Sequence, residues 1–133
     1  MIRSLRFVFL LAVLTSCDRP GGVQETRQRT SQALSGALAY PRSTPVSASA
    51  GAEAAQLVMS SPDSITVVAR WFLDALPRNH WDVKRTVSDP AGTVTIYAEQ
   101  NKRPLWLTLR PNVGGAGTTY TMIGVIPTDS TKR

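Results

Sequence analysis

The chain has 133 residues, a single cysteine and a formal net charge of +6. This length predicts one modest core, and one cysteine excludes an internal disulfide framework and a cysteine-rich metal site. Arg3 and Arg6 lie in an amino-terminal leader, which leaves 13 basic residues against 9 acidic ones along the rest of the chain. Because these basic residues are scattered and form no stripe, the sequence predicts no nucleic-acid partner.

Residues 1–16 have the order of a secretion signal. Basic residues precede an apolar run at 7–14, and the small polar residues Thr15 and Ser16 follow it. This run is far shorter than the roughly 20 residues that a helix needs to span a bilayer. We therefore predict a signal peptide over residues 1–16, not a membrane span.

The end of the leader, Leu14-Thr15-Ser16-Cys17, resembles the lipobox of bacterial lipoproteins, in which leucine and two small residues precede an obligatory cysteine. The resemblance implies that Cys17 carries a diacylglyceryl group, that the chain is cleaved before it, and that the new amino terminus is acylated. Two or three acyl chains anchor a protein lastingly, since each buried methylene contributes about 0.8 kcal/mol. The expected location is the bacterial cell membrane, facing the periplasm or the cell exterior.

Asp18 follows the cysteine directly. An aspartate at this place resembles the signal that keeps a lipoprotein in the inner membrane in enterobacteria-like sorting. Because that rule differs between lineages, the inner and the outer membrane both remain alternatives.

Residues 17–54 are expected to form a lipid-anchored, flexible tether. They are rich in Gly, Ser, Thr, Gln, Ala and Pro and have no sustained apolar period. A flexible chain of this length has a root-mean-square reach of about 35 Å. A short helix around residues 25–38 is the alternative for part of the segment, and a local turn is expected at 40–46.

A small domain is expected over residues 55–127, followed by a disordered tail at 128–133. Its helix is predicted to start at Ser61, with the serine as N-cap, Pro62 in the first turn and Asp63 at the positive end of the helix dipole. Apolar residues at helical spacing predict one buried face, formed by Ile65, Val68, Phe72 and Ala75. Pro77 is expected to end this helix.

After residue 77 the apolar period changes to two, which predicts antiparallel strands. Val83 and Val87 bracket the first strand, and residues 89–92 form a turn. Two strands follow with alternating apolar residues, at Val94, Ile96 and Ala98 and at Leu105, Leu107 and Leu109. A last strand is expected at 119–126 and an early one at 57–59. The predicted fold class is α+β, with one helix packed on a four- to five-stranded antiparallel sheet.

Residues 40–126 carry a pattern that resembles small domains of uncharacterised bacterial exported proteins. Its parts are a Tyr-Pro-x-Ser segment at 40–43, a Ser-Pro-Asp-Ser helix start at 61–64, an aromatic pair in the helix, a leucine and a later tryptophan (Trp71, Phe72, Leu76 and Trp81). Such domains often have glycine directly before the tryptophan, where this chain has His80. The resemblance implies a fold and brings no known activity.

His80 is the only histidine, so it is the first residue to consider for catalysis. It could act as a helix-end cap, as a packing residue or as a general base. Because it lacks a second histidine or a recognisable carboxylate partner, we predict a structural role, and no catalytic residue, metal or cofactor. The glycine-rich segment 114–117 is predicted to be a hairpin loop, since a phosphate-binding loop needs a helix after it.

Five basic residues are candidate contacts for a partner: Lys84, Arg85, Lys102, Arg103 and Arg110. They could gather near one sheet edge and meet anionic headgroups, with ordinary solvated charge as the alternative.

The predicted function is a non-enzymatic, membrane-tethered interaction module of the cell envelope that binds a protein or an envelope component. An envelope enzyme or ligand carrier with a site near His80 and Trp81 is the alternative, and an accessory that stabilises a complex is a third. The oligomeric state is left open.

Overall fold

The computed structural model describes residues 21–128. The predicted signal peptide, Cys17 and almost all of the predicted tail lie outside these described residues. The described chain has the element order α1 (Gly21–Ala33), β1 (Thr44–Ala50), β2 (Ala54–Ser61), α2 (Ile65–Arg78), β3 (Asp82–Ser88), β4 (Val94–Gln100), β5 (Arg103–Pro111) and β6 (Thr118–Val125). Neither helix is long and apolar enough to cross a membrane.

The six strands form one antiparallel sheet in the order β1-β2-β6-β5-β4-β3. The predicted α+β class and the antiparallel sheet are therefore confirmed. The predicted counts differ from those observed, since residues 21–128 form six strands and two helices. The short hairpin connections from β3 to β6 are those that the period-two pattern predicted.

Helix α1 and strand β1 lie in the segment for which a flexible tether was expected, and α1 overlaps the short helix around 25–38 that was the alternative. Their sequences are polar or small and show no apolar period, because few of their side chains are buried. Among residues 22–33 of α1 only Thr30 and Ala33 are buried, and six of the seven β1 residues are exposed. These elements are ordered by tertiary contacts that a local sequence window does not contain.

Helix α1 packs on β1, β2 and β6, and two of its contacts are especially close. The Ala33 carbonyl lies so close to Gly124 of β6 that an added Cβ there would be 2.3 Å from the carbonyl oxygen. One turn earlier in the helix, the Arg29 guanidinium donates a hydrogen bond of 2.9 Å to the Gly51 carbonyl in the β1–β2 turn. Both helices pack on the same face of the sheet, α1 on β1, β2 and β6, and α2 on β3, β4 and β5.

The predicted start of α2 is wrong by three residues. Ser64, not Ser61, is the N-cap, and Ser61 is the last residue of β2. The Ser61 hydroxyl instead accepts a hydrogen bond from the Asp63 backbone N–H, and Pro62 occupies the connection between strand and helix. The predicted end at Pro77 is correct to one residue, since α2 ends at Arg78 with Pro77 in its last turn.

Helix α2 ends in a Schellman motif. The Trp81 N–H donates to the Leu76 carbonyl and the His80 N–H donates to the Pro77 carbonyl, at 3.0 and 3.1 Å. His80 has the positive φ of 64° that this motif requires, a conformation in which glycine is the usual residue. Leu76 and Trp81 are both buried in the core, as the motif's hydrophobic contact requires. The motif thus accounts for the five-residue spacing between Leu76 and Trp81 in this chain.

The core lies between the helices and one face of the sheet, here called the covered face. Its strand residues are almost fully buried: Ile96, Ala98, Leu105, Leu107, Leu109, Tyr120 and Met122. Phe72 and Leu76 of α2, each 1% exposed, pack against them.

A polar and aromatic cluster closes the rim of the core near the start of α2. The Tyr40 hydroxyl donates to Asp63 at 2.6 Å, and the Tyr40 N–H donates to the Tyr120 hydroxyl at 3.0 Å. The Ser43 hydroxyl hydrogen-bonds both the Tyr40 carbonyl and the Tyr120 hydroxyl. The Tyr40 ring meets Trp71 edge-on, with centroids 5.5 Å apart. The segment 40–43 is therefore a latch that fixes the chain between α1 and β1.

Candidate functional site: the open face of the sheet

The second face of the sheet, here called the open face, is covered by no helix in residues 21–128. Strand alternation and register define its side chains. One row across β3, β4, β5 and β6 contains Arg85, Tyr97, Trp106 and Ile123, and the next row contains Val87, Thr95, Thr108 and Thr121. The sheet therefore presents one row with two aromatic rings beside one row with three threonines.

A shallow cavity of about 450 Å³ lies on this face. We call its lining the open-face patch, which consists of Arg85, Val87, Thr95, Tyr97 and Trp106. The Tyr97 and Trp106 rings are cross-strand partners with centroids 5.4 Å apart and planes tilted by 36°. Trp106 is 40% exposed and Val87 is 43% exposed, so large apolar groups face solvent here.

The Tyr97 ring is held in place by its hydroxyl. It donates a 2.7 Å hydrogen bond to the Glu99 carboxylate on the same face. This hydrogen bond raises the pKa of the Tyr97 phenol above 10, with smaller contributions from burial and from the Glu99 charge. Tyr97 is therefore a neutral donor whose ring orientation is fixed, and it supports the neighbouring indole of Trp106.

Arg85 and Lys84 are adjacent in β3 but differ in their partners. Lys84 forms an ion pair with Asp82, and the hydrogen bond in this pair raises the pKa of Lys84. Arg85 is exposed beside Tyr97 and takes part in no ion pair within the described chain. The positive charge of the patch therefore comes from a guanidinium that is free to meet an anionic group.

The other three candidate basic residues do not join this patch. Lys102 lies in the two-residue turn between β4 and β5, where its φ is 63°. Arg103 lies on the covered side, where its guanidinium donates to the Ser35 carbonyl at 2.6 Å and lies 5.9 Å from the centre of the Trp81 ring. Arg110 is exposed on the open face, opposite Thr119 and towards the far end of β5. The five residues thus divide between two faces and a turn.

His80 and Trp81 follow α2 as neighbours in the chain but lie in different environments. The His80 side chain is exposed, whereas Trp81 is 2% exposed and its indole N–H donates to the Gly36 carbonyl at 2.9 Å. Trp81 is thus fully engaged in the core and does not line a site with His80.

The glycine-rich segment 114–117 is the loop between β5 and β6, and Gly117 packs so closely on Ser61 that a Cβ there would be 2.4 Å from the Ser61 carbonyl oxygen. In the part of the chain that the structure describes, histidine, cysteine and carboxylate side chains form no group of three that could hold a metal.

Sequence reasoning identified Arg85 but missed the aromatic part of the patch. Tyr97 and Trp106 alternate with buried residues in the predicted strands, so the sequence does place them together on the face opposite the leucines. That arrangement alone does not tell which of two apolar faces receives the helices.

Comparison of the chain with family models, with curated proteins and with solved structures finds no match.

Proposed function

We propose that the chain is a lipid-anchored protein of the bacterial cell envelope whose open-face patch binds a protein or another envelope component. The observation that carries this proposal is the open-face patch itself. Its exposed Trp106, its oriented Tyr97 and its unpaired Arg85 lie side by side on adjacent strands. Trp, Tyr and Arg are the residue types that dominate binding energy at interfaces, because they combine large contact areas with directed polar groups.

The chemistry of the patch favours a ligand that has both an apolar part and an anionic group. The two rings and Val87 offer apolar surface, the Thr95 hydroxyl offers a donor and acceptor, and Arg85 offers a bidentate donor to carboxylate or phosphate. A rigid sheet holds these groups, so little conformational entropy is lost when a partner docks. The role is thus binding, and the chain acts as a non-enzymatic module.

The anchor in this proposal is Cys17, which the lipobox pattern identifies. Changing Cys17 to Ser retains the apolar leader but removes the thiol that lipid transfer needs. The variant should accumulate as unprocessed precursor, while the unaltered protein incorporates labelled fatty acid and stays on membranes in high salt, because acyl burial is not screened by ions. Release of the unaltered protein by salt alone would overturn the anchor.

Binding through the open face is tested with a photo-crosslinking amino acid at two exposed valines. Val87 lies in the patch, and Val67 lies on the outer surface of α2, 48% exposed. In intact cells, the probe at position 87 should give a recurrent adduct that mass spectrometry identifies, and the probe at 67 should not. Equal adducts from both positions, or none above background from position 87, would contradict the proposal.

A further inference from the structure

We propose that the bilayer lies against one end of the domain, formed by the start of α1 and strand β1. We call this the α1–β1 surface, and its residues are Val23, Arg27, Pro45, Val46 and Ala48. This inference rests on the acylation of Cys17 proposed above. It specifies which part of the folded domain contacts the lipid surface and which part points away from it.

The length of chain between the anchor and the fold carries the first step. Within the described residues, α1 begins at Gly21, which is four residues after Cys17. A chain of four residues spans at most about 14 Å even when fully extended. A tether ending at residue 54 would let the domain move far from the membrane, but an anchor four residues from α1 keeps the start of this helix beside the headgroups.

The surface next to this anchor point is apolar. Val23 is 73% exposed and Val46 is 60% exposed, and the β-bulge between Pro45 and Ser47 leaves Val46 outside the regular pairing with β2. Between α1 and the β1–β2 hairpin lies a groove of about 780 Å³, lined largely by apolar groups of Val23, Pro45, Ala48 and Leu57. Exposed apolar surface of this kind is stabilised by burial among acyl chains.

The cost of removing charged groups from water favours the same orientation. Strand β1 contains no charged residue, whereas β3, at the opposite edge of the sheet, contains Asp82, Lys84 and Arg85. Arg27 lines the groove and forms no ion pair within residues 21–128. A guanidinium at the rim of an apolar surface can bury its stem while its head meets lipid phosphate.

In the proposed orientation the open-face patch lies away from the bilayer, where envelope components can reach it. Its residues lie on β3, β4 and β5, at the end of the sheet farthest from β1. Five strand spacings separate β1 from β3, or about 24 Å. One end of the sheet therefore rests on the membrane while the other end remains open to a partner.

Three exposed valines provide the test. Because Cys17 is the single cysteine of the sequence, its acylation leaves an introduced cysteine as the one thiol that a fluorophore can label. Val23→Cys and Val46→Cys place an environment-sensitive fluorophore on the α1–β1 surface, and Val87→Cys is the matched control on the opposite edge strand. Each variant is purified in the form that the cells produce and placed in vesicles of phosphatidylethanolamine and phosphatidylglycerol containing a spin-labelled phospholipid. Mass spectrometry of the amino-terminal peptide reports whether Cys17 carries its acyl groups.

The expected result is an acylated Cys17, with blue-shifted and quenched emission from positions 23 and 46 and unchanged emission from position 87. If Cys17 is acylated but position 87 is quenched as strongly as 23 and 46, or none of the three is quenched, the orientation is wrong and the anchor stands. If Cys17 is a free thiol, the anchor is wrong and the orientation is overturned with it.

Discussion

The two faces of the sheet are built from the same strands but differ in chemistry and in burial. In β5, Leu105, Leu107 and Leu109 are at most 2% exposed on the covered face, while Trp106 between them is 40% exposed on the open face. Next to Trp106, β4 places Ile96 and Ala98 on the covered side and Tyr97 on the open side. Adjacent residues of one strand are thus divided between holding the fold and meeting solvent.

This difference separates stability from function. Substitutions on the covered face remove packing contacts between the helices and the sheet, so they should affect binding only by unfolding the domain. Substitutions in the open-face patch remove groups whose neighbours are already partly solvated, so they should leave the fold intact and change binding. The predictions below test this separation, from the largest expected effect on stability to the smallest.

Phe72→Ala should have the largest effect. The Phe72 ring is 1% exposed and packs edge-on against Tyr120 and Trp71, with centroids 5.1 and 5.0 Å away. Its removal leaves a cavity between α2 and the covered face and should lower the free energy of unfolding by about 3–5 kcal/mol. Urea denaturation followed by circular dichroism measures this loss. A loss no larger than that of an exposed α2 position such as Val67→Ala would show that α2 does not pack on the covered face.

Gly124→Ala should weaken the docking of α1. The added methyl would lie 2.3 Å from the Ala33 carbonyl oxygen, so the helix backbone must move. Overpacking of this kind lowers stability by about 1–3 kcal/mol.

Gly115→Ala is the matched control for Gly124→Ala, because a Cβ at position 115 meets no atom within 4 Å. Hydrogen exchange should show faster exchange of the α1 amides in Gly124→Ala than in Gly115→Ala. Identical protection of α1 in both variants would contradict the observed packing and restore the flexible tether.

His80→Gly should stabilise the protein. A residue with a Cβ at φ 64° is strained by about 1–2 kcal/mol, and glycine removes this strain. Part of the gain is offset because glycine gives the unfolded chain more conformational entropy. We expect a net gain of about 0.5–1 kcal/mol in thermal or urea denaturation. His80→Ala removes the same imidazole but retains the Cβ, so it should give no such gain. Loss of partner binding in both variants without loss of stability would instead support the alternative site at His80.

Alkaline pH should loosen the latch at the rim of the covered face. The hydrogen bond to Asp63 raises the pKa of Tyr40, and burial raises the pKa of Tyr120. The pKa of each tyrosine is therefore higher in the folded state than in the unfolded state, where it is near 10. Both tyrosines then stabilise the fold below pH 10, and this contribution is lost as the pH rises through their folded-state pKa values. In Tyr40→Phe, stability should be lower at neutral pH and should fall less steeply above pH 10 than in the unaltered protein. Equal slopes in urea denaturation across this range would show that the hydrogen bond to Asp63 contributes nothing.

The parts of the fold that were predictable are those whose own residues carry the signal. Helix α2 was predicted because Val68, Phe72 and Leu76 recur on one buried side, and β4 and β5 because apolar residues alternate in them. Helix α1 and strand β1 lack such patterns, since one is held by a close approach to Gly124 and the other by hydrogen bonds along β2. Their order depends on distant residues that local periodicity does not contain.

The candidate site was predictable only in part for a related reason. Charge identified Arg85, but charge alone did not separate it from Lys84, whose ion pair with Asp82 is a local contact. The exposure of Trp106 depends on which face the helices cover. That choice is made by the leucines of β5 together with α2, so it became visible only with the tertiary structure.

The central claim is that the open-face patch binds a partner while the covered face holds the fold. Its most direct test is Trp106→Ala in a protein that carries the photo-crosslinking residue at position 87. We measure, in the same cells, the adduct formed per molecule of membrane-bound protein and, after purification, the urea midpoint. The account predicts loss of most of the adduct, with a change in unfolding free energy below about 1 kcal/mol because the indole is already partly exposed. An undiminished adduct, or a loss of adduct that only accompanies unfolding of the domain, would contradict it.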